Sequence, residues 1–240
     1  MHAIRFNGFR PEFIDFQKGI RVGHLEPHQR ITQILKLSLQ LLYRGDFVID
    51  RWGRGVYWQW ICFLPKANRT AKPISADMNF GCSKFFIKMD RTEGIFKTGL
   101  HIERGRLEAS EDHSSYRLQE DWDWHRLVQA IQGRSTLYRQ LRRLVREDGF
   151  QIYCGTRETG THFDDVHFPS ASAVRSTLLG YADPNWVVFQ LYYPMLPQEV
   201  HRSNGSDLVE SILAIMQEVA PVMNECMQIR LPVREHAVSK

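Results

Sequence analysis

The stretch from Phe47 to Leu64, FVIDRWGRGVYWQWICFL, decides the predicted fold because it carries two strand signals in succession. Both are rich in β-branched and aromatic residues, and Gly53 and Gly55 separate them. Two similar segments follow, joined by a turn-like stretch. The four predicted strands are Phe47–Asp50, Val56–Leu64, Lys84–Met89 and Phe96–Glu103. Because their connections are short, the segments predict an antiparallel meander.

Helical periodicity dominates the flanking sequence. Apolar residues recur at helical spacing from Ile31 to Leu42 and again from Leu208 to Val219. One further strand is predicted over Asn185–Tyr193. The order of elements predicts an α+β fold, with a largely antiparallel sheet packed against several helices. We expect one domain over residues 1–240, with an acidic connection near residues 106–123 between a strand-rich first half and a helix-rich second half.

Composition and missing motifs narrow the possible classes of protein. No run of 18 apolar residues occurs, and the four cysteines are scattered without a CxxC pair. We therefore expect a cytoplasmic protein with no membrane association. The signatures GxxxxGK[ST], GxGxxG, GxSxG and HExxH are missing, which argues against a P-loop NTPase, a dinucleotide oxidoreductase and a common serine hydrolase. No cofactor is predicted.

Basic residues are concentrated in the strand-rich half of the chain. Residues 51–104 contain ten Lys or Arg against four Asp or Glu, a local charge of +6 compared with +4 for the whole chain. Aromatic residues lie among them, as they do on surfaces that stack on bases. The structural alternative is that Trp58 and Trp60, which share one strand face by alternation, belong to the core.

A second basic cluster lies on the helix predicted over residues 135–148. Five arginines and no acid occur between Arg134 and Arg146. Four of them follow i, i+3, i+4, i+7 spacing and form one stripe, whose mutual repulsion favours a polyanionic partner. The alternatives are a solvated helix face, or docking on the acidic segment 108–123 within the chain or across a dimer.

Two weaker signals concern metal or catalytic chemistry. His162, Asp164, Asp165 and His167 offer imidazole and carboxylate ligands, although a polar loop with turn aspartates is the simpler interpretation. Asp123 is interpreted as a helix N-cap. The alternation of Lys84, Phe86 and Lys88 is interpreted as the solvent face of a half-buried strand rather than as part of a nuclease site.

Three segments are similar to a known group of proteins. They are Phe16-x-x-Gly19-Ile20 through Glu26-Pro27 and Ile31, then Phe96-x-x-Gly99-Leu100-x-x-Glu103, and finally Trp186–Tyr193 followed by a helix into Ala220-Pro221-Val222. These patches, about half of the chain, resemble the YktB-like group of uncharacterised bacterial proteins. The acidic insert and the arginine helix depart from that pattern. The resemblance implies an α+β fold and transfers no catalytic residue.

These observations predict an accessory or regulatory protein that binds DNA or RNA. The alternatives are a metal-dependent hydrolase or nuclease that uses the His162–His167 segment, and a non-catalytic subunit with a protein partner or a second copy of the chain. The predicted nucleic-acid-binding residues are Arg51, Arg54, Lys66, Arg69, Lys72, Arg134, Arg139, Arg142, Arg143 and Arg146.

Overall fold

The strands predicted between Phe47 and Glu103 lie next to one another in one antiparallel sheet. The structure is a computed structural model, and it describes residues 8–71, 81–104, 122–156, 159–181 and 187–232. Within these residues the sheet has nine strands, all paired antiparallel. They are β1 (Ile14–Asp15), β2 (Gly19–Arg21), β3 (Phe47–Arg54), β4 (Tyr57–Pro65), β5 (Lys84–Asp90), β6 (Ile95–Arg104), β7 (Gln151–Gly155), β8 (Gly160–Phe163) and β9 (Val187–Met195).

The order of the strands departs from chain order in the second half. It runs β1-β2-β4-β5-β6-β9-β7-β8, with β3 also paired to β4. Strand β3 pairs with β4 from Phe47↔Pro65 to Arg54↔Tyr57, along the whole length of β4. Strands β2 and β5 must therefore share the other edge of β4. It follows that β3 lies at one end of the sheet and β8 at the other.

Seven helices accompany the sheet in the described residues. They are α1 (Ile31–Tyr43), α2 (Lys66–Thr70), α3 (Asp123–Ala130), α4 (Thr136–Arg146), α5 (Ala171–Leu179), α6 (Pro197–Arg202) and α7 (Gly205–Cys226). The long helix α7 contacts β6 and the helices α1, α3 and α4. The predicted α+β class, with an antiparallel sheet packed against helices, is confirmed. No helix in the described ranges has the length and apolar character needed to cross a bilayer.

The main core lies between the sheet and the helices. Strand residues such as Phe63, Phe85 and Leu100 are fully buried there and pack in one cluster with residues of the helices. A smaller cluster lies on the opposite side of the sheet and contains Cys62 and Phe86. Because side chains alternate along each strand, the two clusters use alternate residues of the same strands. All four cysteines are buried thiols.

A buried carboxylate joins α2, α3 and β5. The sequence predicts Asp123 as the cap of α3, but Trp122 is the N-cap residue and Asp123 is fully buried in the first turn. Its Oδ2 accepts hydrogen bonds from Asn68 Nδ2 at 2.8 Å and from the backbone N–H of Ser83 at 2.6 Å. Asn68 Oδ1 in turn accepts from two backbone N–H groups after α7. The N-cap prediction is wrong because a tertiary network, rather than a local cap, satisfies this carboxylate.

We expect Asn68→Ala to lower the free energy of unfolding by about 2–4 kcal/mol, because the substitution removes a donor from a buried carboxylate and an acceptor from two backbone N–H groups. Urea unfolding followed by circular dichroism would measure the change. Gln132→Ala, at an exposed position, is the control and should change stability by less than about 0.5 kcal/mol. Equal stabilities for the two variants would contradict this role of Asn68.

Candidate nucleic-acid interface

A bulge in the β3–β4 ladder decides which side of the sheet the hairpin aromatics face. Trp52 pairs with Trp60 and the next residue, Gly53, pairs with Trp58, so that Gln59 is left without a partner in the ladder. The extra residue reverses the alternation of side chains. Trp58 consequently packs against the main core, whereas Trp60 packs against the smaller cluster on the opposite side. The prediction that Trp58 and Trp60 share one strand face is wrong for this reason.

The hairpin ends in a tight turn next to exposed basic and aromatic side chains. Arg54 and Tyr57 are the last paired residues, and Gly55, with φ of +65°, begins the two-residue connection. Arg51 and Arg54 are exposed, and 67% of the Trp52 surface is accessible. The side chain of Trp52 lies on the same side as Trp60, away from the helices, because these two residues are directly paired.

Two other loops bring further cations to this hairpin. Arg21 of β2 pairs with Tyr57. Lys18, in the β1–β2 turn, places its Nζ 5.8 Å from the centroid of the Tyr57 ring. Arg91, in the β5–β6 turn, donates from Nη2 to the carbonyl oxygen of Lys18 at 2.6 Å. We call this surface the hairpin patch and define it as Lys18, Arg21, Arg51, Trp52, Arg54, Tyr57, Trp58 and Arg91.

The hairpin patch contains five cations, and two of the acids near it, Asp90 and Glu93, have partners outside it. Asp90 accepts hydrogen bonds or ion pairs from Lys88 and Lys97, and Glu93 pairs with Lys97 at 2.6 Å. Burial would raise the pKa of Asp90, but Lys88 and Lys97 hold it well below its usual range. Asp15, 3.5 Å from Lys18 Nζ, is the acid that pairs within the patch.

The side chain of Arg51 lies on the opposite side of β3 from the side chain of Trp52. Its guanidinium carbon is 4.1 Å from the centroid of the Trp58 ring, a cation–π contact that fixes the side chain at the edge of the sheet. The structure therefore places two predicted residues, Arg51 and Arg54, on one hairpin but on opposite faces of β3. It adds three cations that the sequence analysis did not predict as binding residues. Lys18 and Arg21 lie outside the basic stretch of residues 51–104, and Arg91 lies inside it.

The other basic residues predicted in this region lie elsewhere. Lys66 and Arg69 belong to α2, at the opposite end of β4 from the turn. The nine residues of β4 separate the two ends by roughly 26 Å. Lys66 is exposed and pairs with Asp46 at 3.7 Å. Residues 66–70 are helical. Lys72 lies outside the described residues.

The arginine helix is the second basic surface. Its leucines Leu137, Leu141 and Leu144 are buried in the main core, and its arginines are exposed. The exposed members are Arg134, just before α4, and Arg139, Arg142, Arg143 and Arg146. Arg143 bonds to Asp148 and to Glu218 of α7, both at 2.7 Å, and the hydrogen bond to Glu218 is the main cause of its raised pKa. The acidic segment 108–123 is one predicted docking partner for this stripe. Its residues 108–121 lie outside the described residues.

The two basic surfaces lie toward opposite ends of the sheet. Helix α4 packs against β7, and four strands separate β7 from β3. At about 4.8 Å per strand, the hairpin patch and β7 are roughly 24 Å apart. Arg146 also lines a pocket of about 230 Å³ together with Asp164 and Asp165. The arginine helix is therefore bordered by acids at its carboxyl end.

The residues considered as metal ligands do not converge in the described structure. Asp164 Oδ1 accepts from the backbone N–H groups of Val166 and His167, which is a local turn. The hydrogen bonds from His167 lower the pKa of Asp164. His162 lies on β8, with Nδ1 3.3 Å from the hydroxyl of Tyr192, and Asp165 is exposed. In the parts of the chain that the structure describes, no group of three or more His, Cys, Asp or Glu could hold a metal ion.

A buried charged cluster occupies the side of the sheet opposite the helices. The sequence pattern predicts a solvent-facing Lys84, but its surface is 1% accessible and its ammonium group forms an ion pair with Glu103. His101 Nε2 lies 3.3 Å from Glu103 Oε2, and its Nδ1 lies 3.0 Å from the amide nitrogen of Gln190. The solvent-face interpretation is wrong because alternation assigns residues to a face without showing whether that face is covered.

Electrostatics fixes the charge of each member of this cluster. Burial would raise the pKa of Glu103, but the neighbouring Lys84 and the hydrogen bond from His101 hold it well below its usual range. Burial lowers the pKa of His101, which is therefore neutral near pH 7. Burial would lower the pKa of Lys84, but Glu103 raises it. A carboxylate, an ammonium and a neutral imidazole are the groups of general acid–base catalysis, but here they are buried and bond to one another.

We expect Lys84→Met to lower the free energy of unfolding by about 3–5 kcal/mol, because it removes the buried ammonium group that pairs with the carboxylate of Glu103. The control is Lys66→Met, which removes an exposed ion pair and should cost less than about 1 kcal/mol. Urea unfolding at neutral pH would compare them. A similar destabilisation by both substitutions would contradict the contribution of the buried pair.

Acid should destabilise the wild-type protein in two steps. Both His101 and Glu103 have lowered pKa values in the folded state, so the unfolded chain binds protons first. Stability should therefore fall below about pH 6.5 because of His101 and further below about pH 4.5 because of Glu103. Urea unfolding at a series of pH values would show this dependence, and Glu103→Gln should make the second step smaller. A variant with the same acid dependence as the wild type would contradict this assignment.

Comparison with protein-family models, with curated proteins and with solved structures finds no match to this chain. The resemblance to the YktB-like group stays a prediction. The hairpin patch, which combines exposed cations with an exposed indole ring, is therefore the feature of the molecule that points most directly to a function.

Proposed function

We propose that this protein binds nucleic acid and that the hairpin patch is its main contact surface. The observation that carries the proposal is the convergence of three loops, which brings Lys18 and Arg91 to the hairpin that carries Arg54 and the exposed Trp52. Phosphates are the polyanions that arginine binds bidentately. The convergence depends on strand pairing and is a property of the surface rather than of one basic run.

Aromatic side chains distinguish this patch from a surface that is only basic. Trp52 and Tyr57 lie beside Arg54 and Lys18, so that a base and its phosphate could be contacted together. The arginine helix has three arginines without an ion pair among the described residues, namely Arg139, Arg142 and Arg146. It carries no comparable exposed aromatic ring. We propose it as a second phosphate contact for a longer nucleic acid.

The proposal predicts that Lys18→Ala, Arg54→Ala and Arg91→Ala, combined in one variant, weaken nucleic-acid binding at least about tenfold. Each cation that binds a phosphate releases counterions. The slope of log affinity against log salt should therefore decrease by about one for each cation that the variant no longer presents to a phosphate. Fluorescence anisotropy with labelled oligonucleotides at about 50 mM and 200 mM salt would measure both effects.

The matched control combines Arg139→Ala, Arg142→Ala and Arg146→Ala, which removes the same charge from the arginine helix. It should reduce the affinity for short oligonucleotides less than the hairpin variant does. Circular dichroism and thermal melts would check that both variants fold. No binding by the wild-type protein at low salt would reject the proposed function. If the control variant loses more affinity than the hairpin variant, the main contact surface is α4 and not the hairpin patch.

A further inference from the structure

On the basis of the proposed function, we infer that the hairpin patch binds single-stranded rather than double-stranded nucleic acid. The first observation is the position of Trp52. Its ring is two-thirds accessible on the side of the sheet away from the main core, and β3 has no strand on its outer edge in the described residues. A large apolar ring in this position adds little to the folding of the chain, since burial is what stabilises it.

The residues around Trp52 leave the ring open to a ligand. A side chain at Gly53 would place its Cβ 2.6 Å from the Cα of Trp58, so glycine allows the close approach of the two strands. Gly55, at the turn, has no atom within 4 Å of a Cβ position. Gly55 therefore leaves open space at the turn, and the accessible face of Trp52 can be reached by a planar group.

The spacing of cations and rings matches consecutive nucleotides. Arg54 follows Trp52 by two residues on the same strand, a separation of about 7 Å. Tyr57 lies directly across from Arg54, with the ammonium group of Lys18 near its ring. The patch spans three strands, or about 10 Å, which suits a contact with very few nucleotides.

A duplex could use only part of this surface. Its bases are already stacked on both faces, so Trp52 would gain no stacking partner and the arginines alone would contact phosphates. Unpaired bases present their faces to a ring, and each base–aromatic stack contributes substantially to affinity. The combination of an accessible indole with flanking cations therefore favours the single strand.

Fluorescence anisotropy with a fluorescein-labelled 20-mer of mixed sequence would test this inference, with the same 20-mer annealed to its complement as the duplex probe. DNA and RNA versions of both probes would be compared at one salt concentration. We expect the wild-type protein to bind a single strand at least about tenfold more tightly than the matching duplex. Trp52→Ala should weaken single-strand binding by about fivefold to a hundredfold and leave duplex binding unchanged.

Two control variants separate stacking from general effects. Trp52→Phe keeps a ring and should retain most of the single-strand affinity. Leu41→Ala removes a side chain on α1 of similar exposure, 65%, and should change nothing. Equal or tighter binding to the duplex would overturn the inference while the proposed function stands. A single-strand preference that Trp52→Ala leaves intact would also overturn it. If neither probe binds, the proposed function fails as well.

Discussion

The side of the sheet to which each strand residue points is the constraint on which the rest of the structure depends. A sheet with helices on one face must place its large apolar residues there, and a register shift of one residue reverses the placement. The central strands meet this requirement through Phe63, Phe85 and Leu100, which lie in the main core. The same register decides which residues lie on the side of the sheet opposite the helices.

The bulge at Gln59 changes the side to which the residues of β4 point on either side of it. Without the extra residue, Trp58 and Trp60 would face the same way, and one side of the hairpin would hold both rings. With it, Trp58 joins the main core and supports Arg51 at 4.1 Å, and Trp60 packs on the other side. The amide of Gln59 donates to the carbonyl of Lys18 at 2.7 Å. The bulge thus connects the hairpin to the loop that supplies a cation to the hairpin patch.

The two kinds of charge on this protein have different physical roles. Lys84, Glu103 and His101 are buried together, where an unpaired charge costs several kcal/mol, so each must have a partner within the cluster. Apart from the half-buried Arg21, the cations of the hairpin patch are exposed, where their mutual repulsion is screened and costs little. Exposed cations with few acidic neighbours can contact a ligand, whereas the charged groups of the buried cluster pair with one another. This difference is why we propose the hairpin patch, and not the buried cluster, as the binding surface.

The sequence by itself determined the class of fold, the strands from Phe47 to Glu103 and the arginine stripe of α4. These features depend on local alternation, helical spacing and turn residues, which act over a few positions. Only the tertiary structure decided that β9 lies between β6 and β7, that Lys84 is buried, and that Lys18 and Arg91 join Arg54. Long-range pairing selects those neighbours through the free energy of packing the whole sheet, and no local pattern contains that information. Only part of the hairpin patch could be predicted from the sequence, namely Arg51, Arg54 and their aromatic neighbours. These residues are adjacent along the chain, whereas the other members of the patch are not.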